Sequence, residues 1–199
     1  MDSLDYYERY AIPYYEQTID LDLSEIMKCF VECLPEGAEV LDLGCGSGRD
    51  TKALEEYGFY VTPMDGSAKL CELAEIYTDK EVLNLTFEQM DFDEVFDGIW
   101  ACASLVHVPP GEMPAIMKKV MEALKPGGVL YFSVYEGDRD GVYGGRYYCD
   151  HTEARLRRLL GHLRDAEILD IWTTDDVRRE KEDHRWLNVL VRKHSKAAR

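Results

Sequence analysis

The sequence predicts a three-layer α/β fold: a seven-stranded, mostly parallel sheet whose last strand runs antiparallel, with helices on both faces. Three observations predict it. Strand-like apolar runs alternate with stretches of helical apolar spacing along the whole chain. Such alternation implies parallel strands joined by crossover helices. The final two strand-like runs have no helix between them, which predicts a hairpin at one sheet edge. A length of 199 residues with 46% apolar side chains suits a single domain, 1–199, and excludes a disordered chain.

The elements follow in order. Leu21, Leu23, Ile26, Met27, Phe30 and Val31 fall at helical spacing, and Pro35-Glu36-Gly37 stops that helix. Ala38 to Leu43 reads as the first strand, followed by the turn Gly44-Cys45-Gly46-Ser47-Gly48. Arg49 to Tyr57 is a helix closed by Gly58. Phe59 to Met64 is a second strand ending at Asp65, and Ser67 caps the next helix. Val82 to Thr86 and Gly98 to Ser104 are the third and fourth strands. The helix Met113 to Leu124, a Lys125-Pro126-Gly127-Gly128 turn and the strand Val129 to Tyr135 come next. Residues 136–150 are rich in Gly and Tyr and aperiodic, which predicts a mobile loop. Thr152 opens a helix through Leu163; strands Ile168 to Thr173 and Trp186 to Arg192 flank a charged loop, and His194 to Arg199 is a polar tail.

Charge is the unusual quantity. Lys and Arg number 23 against 39 Asp and Glu, a net of −16. Residues 1–145 carry 10 basic against 29 acidic side chains, and residues 146–199 carry 13 against 10. Such a field repels phosphate backbones and anionic membranes, so nucleic acid is not the expected partner. No apolar run is long enough to span a bilayer, and the charged start MDSLDYYERY does not read as an export signal. The six cysteines lack CxxC or Cys/His spacing, so no metal site is expected. Cys29 and Cys33 share one helical face; small core thiols in a reducing cytoplasm are the favoured reading over a disulfide framework.

In an open α/β sheet ligands bind beyond the carboxyl ends of the strands at the switch point. Three segments converge there: Val40 to Asp50 with its glycine turn, Asp65 at the next strand end, and Phe96 to Leu105. Glycines let backbone press on a ligand, and a carboxylate at a strand end can accept bonds from both hydroxyls of a ribose. The bland alternative for Asp65 is an acid favoured by a helix dipole. A dinucleotide fingerprint needs a glycine where Arg49 stands; the pattern here is DxGxGxG, with Asp42 two residues before Gly44.

That pattern, the acid Asp65, the Phe96-Asp97-Gly98-Ile99-Trp100-Ala101 strand and the Lys-Pro-Gly-Gly turn together resemble the class I S-adenosylmethionine-dependent methyltransferases, from about Tyr14 to Arg192. The turn resembles the small-molecule branch that includes tellurite- and thiopurine-type enzymes. The resemblance implies a Rossmann-like fold, S-adenosylmethionine as cofactor and methyl transfer to a small molecule by in-line displacement. It implies that Gly44, Gly46 and Gly48 pass under the cofactor, that Asp42 orders the loop and the methionine amino group, and that Asp65 takes the ribose. Arg49 pairs with the methionine carboxylate or with a structural acid. Thr86 stands where the family presents an acid near adenine, with Phe87 beside it.

Ala101 and Cys102 are expected to line the methionine pocket through backbone. Residues 1–35 form a helical lid segment in which Tyr14 and Thr18 close over the methionine end; an amphipathic helix docked on the sheet is the alternative. His107 is either a base or, the favoured reading, a brace for its own loop. Arg146, Tyr147 and Arg178 fall on substrate-side segments, 136–150 among them, or are solvated charge. The rival function is a nucleotide-binding or regulatory protein that keeps the fold without turnover.

Overall fold

The computed structural model describes residues 3–163, 165–178 and 184–194. Helices α1 (Ser3–Arg9), α2 (Ala11–Thr18) and α3 (Ser24–Val31) precede the sheet. Then come β1 (Glu39–Leu43), α4 (Arg49–Glu56), β2 (Tyr60–Asp65), α5 (Ala68–Thr78), β3 (Leu83–Asn84), β4 (Phe96–Ala101), α6 (Met113–Ala123) and β5 (Leu124–Tyr135). A hairpin of β6 (Asp140–Tyr143) and β7 (Arg146–Cys149) leads to α7 (Glu153–Gly161), then β8 (Ala166–Asp175) and β9 (Arg185–Lys193).

The main sheet has the order β3-β2-β1-β4-β5-β9-β8. Pairs from β3 through β5 are parallel, and β9 is antiparallel to both β5 and β8. The fold is therefore the expected seven-stranded Rossmann-like sheet with one reversed strand, and the reversal sits inside the terminal hairpin. Strand order turns back between β1 and β4, so a crevice opens beyond their carboxyl ends.

The pleat divides the core. Along β1, Val40 packs with Met27, Phe30 and Leu54 on the face covered by α3 and α4. Leu41 and Leu43 point the other way, to Ile116, Met117, Leu156 and Leu160 of α6 and α7. Trp100 and Tyr131 continue the first face as a stacked pair, centroids 4.0 Å apart. Full burial of a side chain such as Phe30 contributes roughly 1.5–3 kcal/mol. Ser67 caps α5 as expected, accepting from the Leu70 N–H at 3.3 Å, and Thr152 caps α7 in the same way through Arg155.

Four expectations are corrected. Residues 136–150 are the β6–β7 hairpin: Gly144 and Gly145, both at positive φ, make the two-residue turn that strand twist favours. Lys125 to Gly128 do not separate helix from strand but bulge within β5, where its register on β4 shifts between Phe96 and Gly98. The third strand is only Leu83–Asn84, because Thr86 ends it by capping a short turn whose Gln89 side chain accepts from the Thr86 N–H at 2.8 Å. Cys29 is exposed and Cys33 half-buried rather than core, while Cys45, Cys71 and Cys149 are buried. Residues 179–183 of the charged loop and 195–199 of the tail lie outside the described residues. No described helix is long and apolar enough to cross a membrane. Among the described residues no cluster of His, Cys, Asp or Glu could hold a metal.

Candidate active site

Two chambers adjoin beyond the carboxyl ends of β1 and β4. The first, of about 480 Å³, runs between the glycine turn and α1. Gly44, Gly46, Asp65, Thr86, Phe87 and Ser104 stand on its walls. The second, smaller at about 100 Å³, lies over β5 and β9 and is lined by Tyr131, Tyr135, Trp186, Arg146 and Arg178. Tyr7, Tyr14, Cys102, Ala103 and His107 line both, so they mark the junction. Ala103 there is held at φ +55°, a backbone strain that a non-glycine residue keeps only where its surroundings fix it. The Ser133 hydroxyl does so, accepting the Ala103 N–H at 2.9 Å.

The structure sorts the expected cofactor residues. Tyr14, Gly44, Gly46, Asp65, Thr86, Phe87 and Cys102 line the first chamber. Close approach explains the glycines: a Cβ on Gly44 would stand 2.5 Å from the Ser104 Cβ, and one on Gly46 3.2 Å from the Tyr14 ring. Thr18 and Arg49 line the second chamber instead. Asp42, Gly48 and Ala101 line neither chamber. Ala101 points into the core among Leu41 and Ile99. Gly48 faces α5. Asp42 lies beneath the turn on the α4 face, where its Oδ2 accepts from the Thr51 hydroxyl at 2.6 Å.

Arg49 takes its structural alternative. Its Nε donates to Asp50 Oδ1 at 2.7 Å, its Nη2 to Oδ2 at 3.0 Å, and its Nη1 to the Thr18 carbonyl. Asp65 accepts one backbone N–H on each oxygen, from Gly46 and from Ser67, both at 2.9 Å. Burial raises the pKa of Asp65, and these N–H donors oppose the rise. Thr86 spends its side chain on its own cap. Two residues after Thr86, the acid Glu88 lines the same wall.

His107 is a brace. Its Nδ1–H donates to the Tyr147 carbonyl at 2.6 Å, which leaves Nε2 as the acceptor of the Tyr7 hydroxyl at 2.7 Å. Burial pulls its pKa down to about 4, so the ring is neutral. Cys102 is a thiol rather than a thiolate, because burial pushes it up to about 12. The side chain of Tyr147 turns out to Asp140, and the residue borders the first chamber rather than the second. Arg178 is bound by both Asp176 oxygens and donates to the Tyr135 hydroxyl at 2.8 Å. Within the expected helical segment 1–35, the sequence singles out no residue of α1. Tyr7 braces His107, Glu8 accepts from the Ser67 hydroxyl at 2.8 Å, and the Ser3 hydroxyl accepts the Tyr147 N–H at 3.0 Å. These contacts span up to 144 residues of sequence, which no local pattern signals.

Asp42 gives the first prediction. Burial, with Asp50 alongside, pushes its pKa up to about 8. Between about pH 4 and pH 8 the folded state then keeps a proton that the unfolded chain releases. Stability therefore falls as pH rises through that window, by up to about 1.4 kcal/mol per unit. Asp42→Asn should remove this share, so the variant gains on the wild type in urea midpoint between pH 5 and pH 8. Parallel curves would show that Asp42 does not titrate there.

The chain belongs to the methyltransferase domain family, which it matches over residues 14–188. It is 34% identical over 104 residues to the ubiquinone biosynthesis O-methyltransferase of Coxiella burnetii, 49% of this chain and 44% of that enzyme. It is 33% identical over 142 residues to the sterol 24-C-methyltransferase of Aspergillus fumigatus, 67% of this chain and 36% of that one. The chain thus spans less than half the length of these curated relatives. In fold it is similar to the 1,6-didemethyltoxoflavin-N1-methyltransferase of Burkholderia thailandensis, solved with 1,6-didemethyltoxoflavin and S-adenosylhomocysteine: TM-score 0.75, 24% identity, 96% of this chain and 85% of that one. The N-methyltransferase NodS of Bradyrhizobium japonicum, solved with S-adenosylhomocysteine, gives a TM-score of 0.74 at 17% identity over 97% and 99%.

Proposed function

We propose that the protein is an S-adenosylmethionine-dependent methyltransferase that acts on a small molecule in the cytoplasm, without nucleic acid or membrane as partner. The observation that carries this reading is the pair of chambers meeting at Tyr7, Tyr14, Cys102, Ala103 and His107. The first chamber fits the cofactor: side-chain-free walls at Gly44 and Gly46 and a carboxylate at Asp65. Asp65 would hold the ribose hydroxyls, Leu85 to Glu88 would border the adenine, and Tyr14 and Cys102 would flank the methionine end. When bound, S-adenosylmethionine supplies a methyl group already activated by its sulfonium, and in-line displacement then asks the protein chiefly for position.

The residues at the junction suit positioning. His107 has both ring nitrogens engaged, and the Cys102 thiol is protonated, so neither is a free base. Tyr7 and Tyr14 face each other edge to face there, with centroids 5.0 Å apart. Their ring faces could hold a sulfonium by cation–π attraction. Arg146, Tyr135 and Trp186 would meet the acceptor in the second chamber.

Calorimetry with S-adenosylmethionine, S-adenosylhomocysteine and NAD side by side tests the reading. The first two should bind and NAD should not. Tight NAD binding, or no binding of S-adenosylhomocysteine, overturns it. Cofactor binding with no turnover across a broad acceptor panel would leave the regulatory protein.

A further inference from the structure

Among the described residues three guanidinium groups border the second chamber, and two are matched by carboxylates. Arg49 is held by Asp50 at 2.7 Å and Arg178 by Asp176 at 2.6 Å. Arg146 has no carboxylate partner among the described residues. Its Nη1 donates to the Tyr7 hydroxyl at 3.3 Å, and its buried Nε has no hydrogen-bond partner among the described residues. Aromatic rings enclose it instead, with Cζ 4.5 Å from the Tyr6 centroid, 5.3 Å from Tyr148 and 5.7 Å from Tyr7. Rings attract a guanidinium through their faces, but they offer no lone pair to the N–H groups in its plane. A buried guanidinium N–H without an acceptor is unfavourable, and an anionic ligand would supply one.

We propose that the methyl acceptor is a planar organic acid whose anionic group pairs with Arg146 in the second chamber. The proposal rests on the methyltransferase reading and names its substrate class. The chamber wall is aromatic: Tyr135 and Trp186, stacked on each other at 3.9 Å, with Tyr148 and Tyr131 beside them, which suits a planar ligand better than an aliphatic one. The Tyr7 hydroxyl ties Arg146 to the junction, so an acid held there lies beside the first chamber. With a net charge of −16 the protein as a whole repels anions, so an anionic acceptor needs a dedicated local cation. A neutral acceptor would expel water from Arg146 and leave its charge unmatched.

The test loads the whole protein with S-adenosylhomocysteine and titrates it by calorimetry with protocatechuate, salicylate and their uncharged carboxamides. At least one acid should bind, and roughly 10- to 100-fold more tightly than its amide, the span expected of charge-assisted hydrogen bonds. Arg146→Gln should erase the difference, with S-adenosylhomocysteine affinity kept. Arg146→Lys, which keeps the charge and loses the planar fork, should retain part of it. Equal binding of acid and amide by the wild type, no binding of either acid, or an unchanged preference in Arg146→Gln each overturns the proposal. The first two results need no variant to fold. Failure of S-adenosylhomocysteine itself to bind would strike the methyltransferase reading instead.

Discussion

Asp65→Ala should weaken S-adenosylhomocysteine binding by about one to two orders of magnitude. Each carboxylate oxygen accepts one backbone N–H, from Gly46 and from Ser67. The carboxylate lines the first chamber and has lone pairs beyond these two bonds. Two ribose hydroxyls donating to a desolvated carboxylate would contribute roughly 1.5–3 kcal/mol, at about 1.4 kcal/mol per decade of affinity. The same two backbone bonds mean that the variant also loses stability without ligand, by about 1–2 kcal/mol, as buried N–H groups lose their acceptors. Asp65→Asn keeps one acceptor oxygen and should fall between the two proteins on both counts. Titration with S-adenosylhomocysteine and urea unfolding without it separate the roles. If stability drops and affinity holds, Asp65 orders the turn and the helix start and nothing more.

How far the site was legible in the sequence follows from the range of the interactions that build it. The glycine turn, Asp65 and the Ser67 cap are set by residues a few positions apart, and the sequence displays them. Gly44 and Gly48 look equivalent in sequence, but one faces Ser104 and the other faces α5. Only the packing of distant segments divides those duties. The β6–β7 hairpin read as aperiodic because Val142 and Tyr143 are exposed, so no apolar face marks β6. The pairings Tyr7–His107 and Arg146–Tyr7 join positions 100 and 139 residues apart. Neither follows from any periodicity. The resemblance gives Asp42 as the acid that orders the glycine loop, but its Thr51 partner, set by strand alternation toward the α4 face, has no mark in the local pattern.

Gly48→Ala should destabilise the protein by roughly 2–5 kcal/mol while leaving the cofactor chamber intact. Gly48 is the N-cap of α4 at φ +80°, a left-handed conformation that costs an L-residue about 1–2 kcal/mol. Its Cβ would also stand 2.9 Å from Thr78 Cγ2, 3.2 Å from Ala74 Cβ and 3.3 Å from Ala74 Cα. The Ala74 backbone cannot give way as a flexible side chain would, so α4 and α5 must part, an overpacking cost of about 1–3 kcal/mol. Against a total stability of about 5–15 kcal/mol that is a large fraction. Gly58 supplies the control. It sits at φ +88° with nothing within 4 Å of its would-be Cβ, so Gly58→Ala carries the backbone cost alone. Urea unfolding of both variants without ligand gives the packing share as their difference. Because Gly48 lines neither chamber, folded Gly48→Ala should bind S-adenosylhomocysteine within a few-fold of wild type. A Gly48→Ala protein as stable as Gly58→Ala but unable to bind would return Gly48 to the cofactor site and refute the packing role.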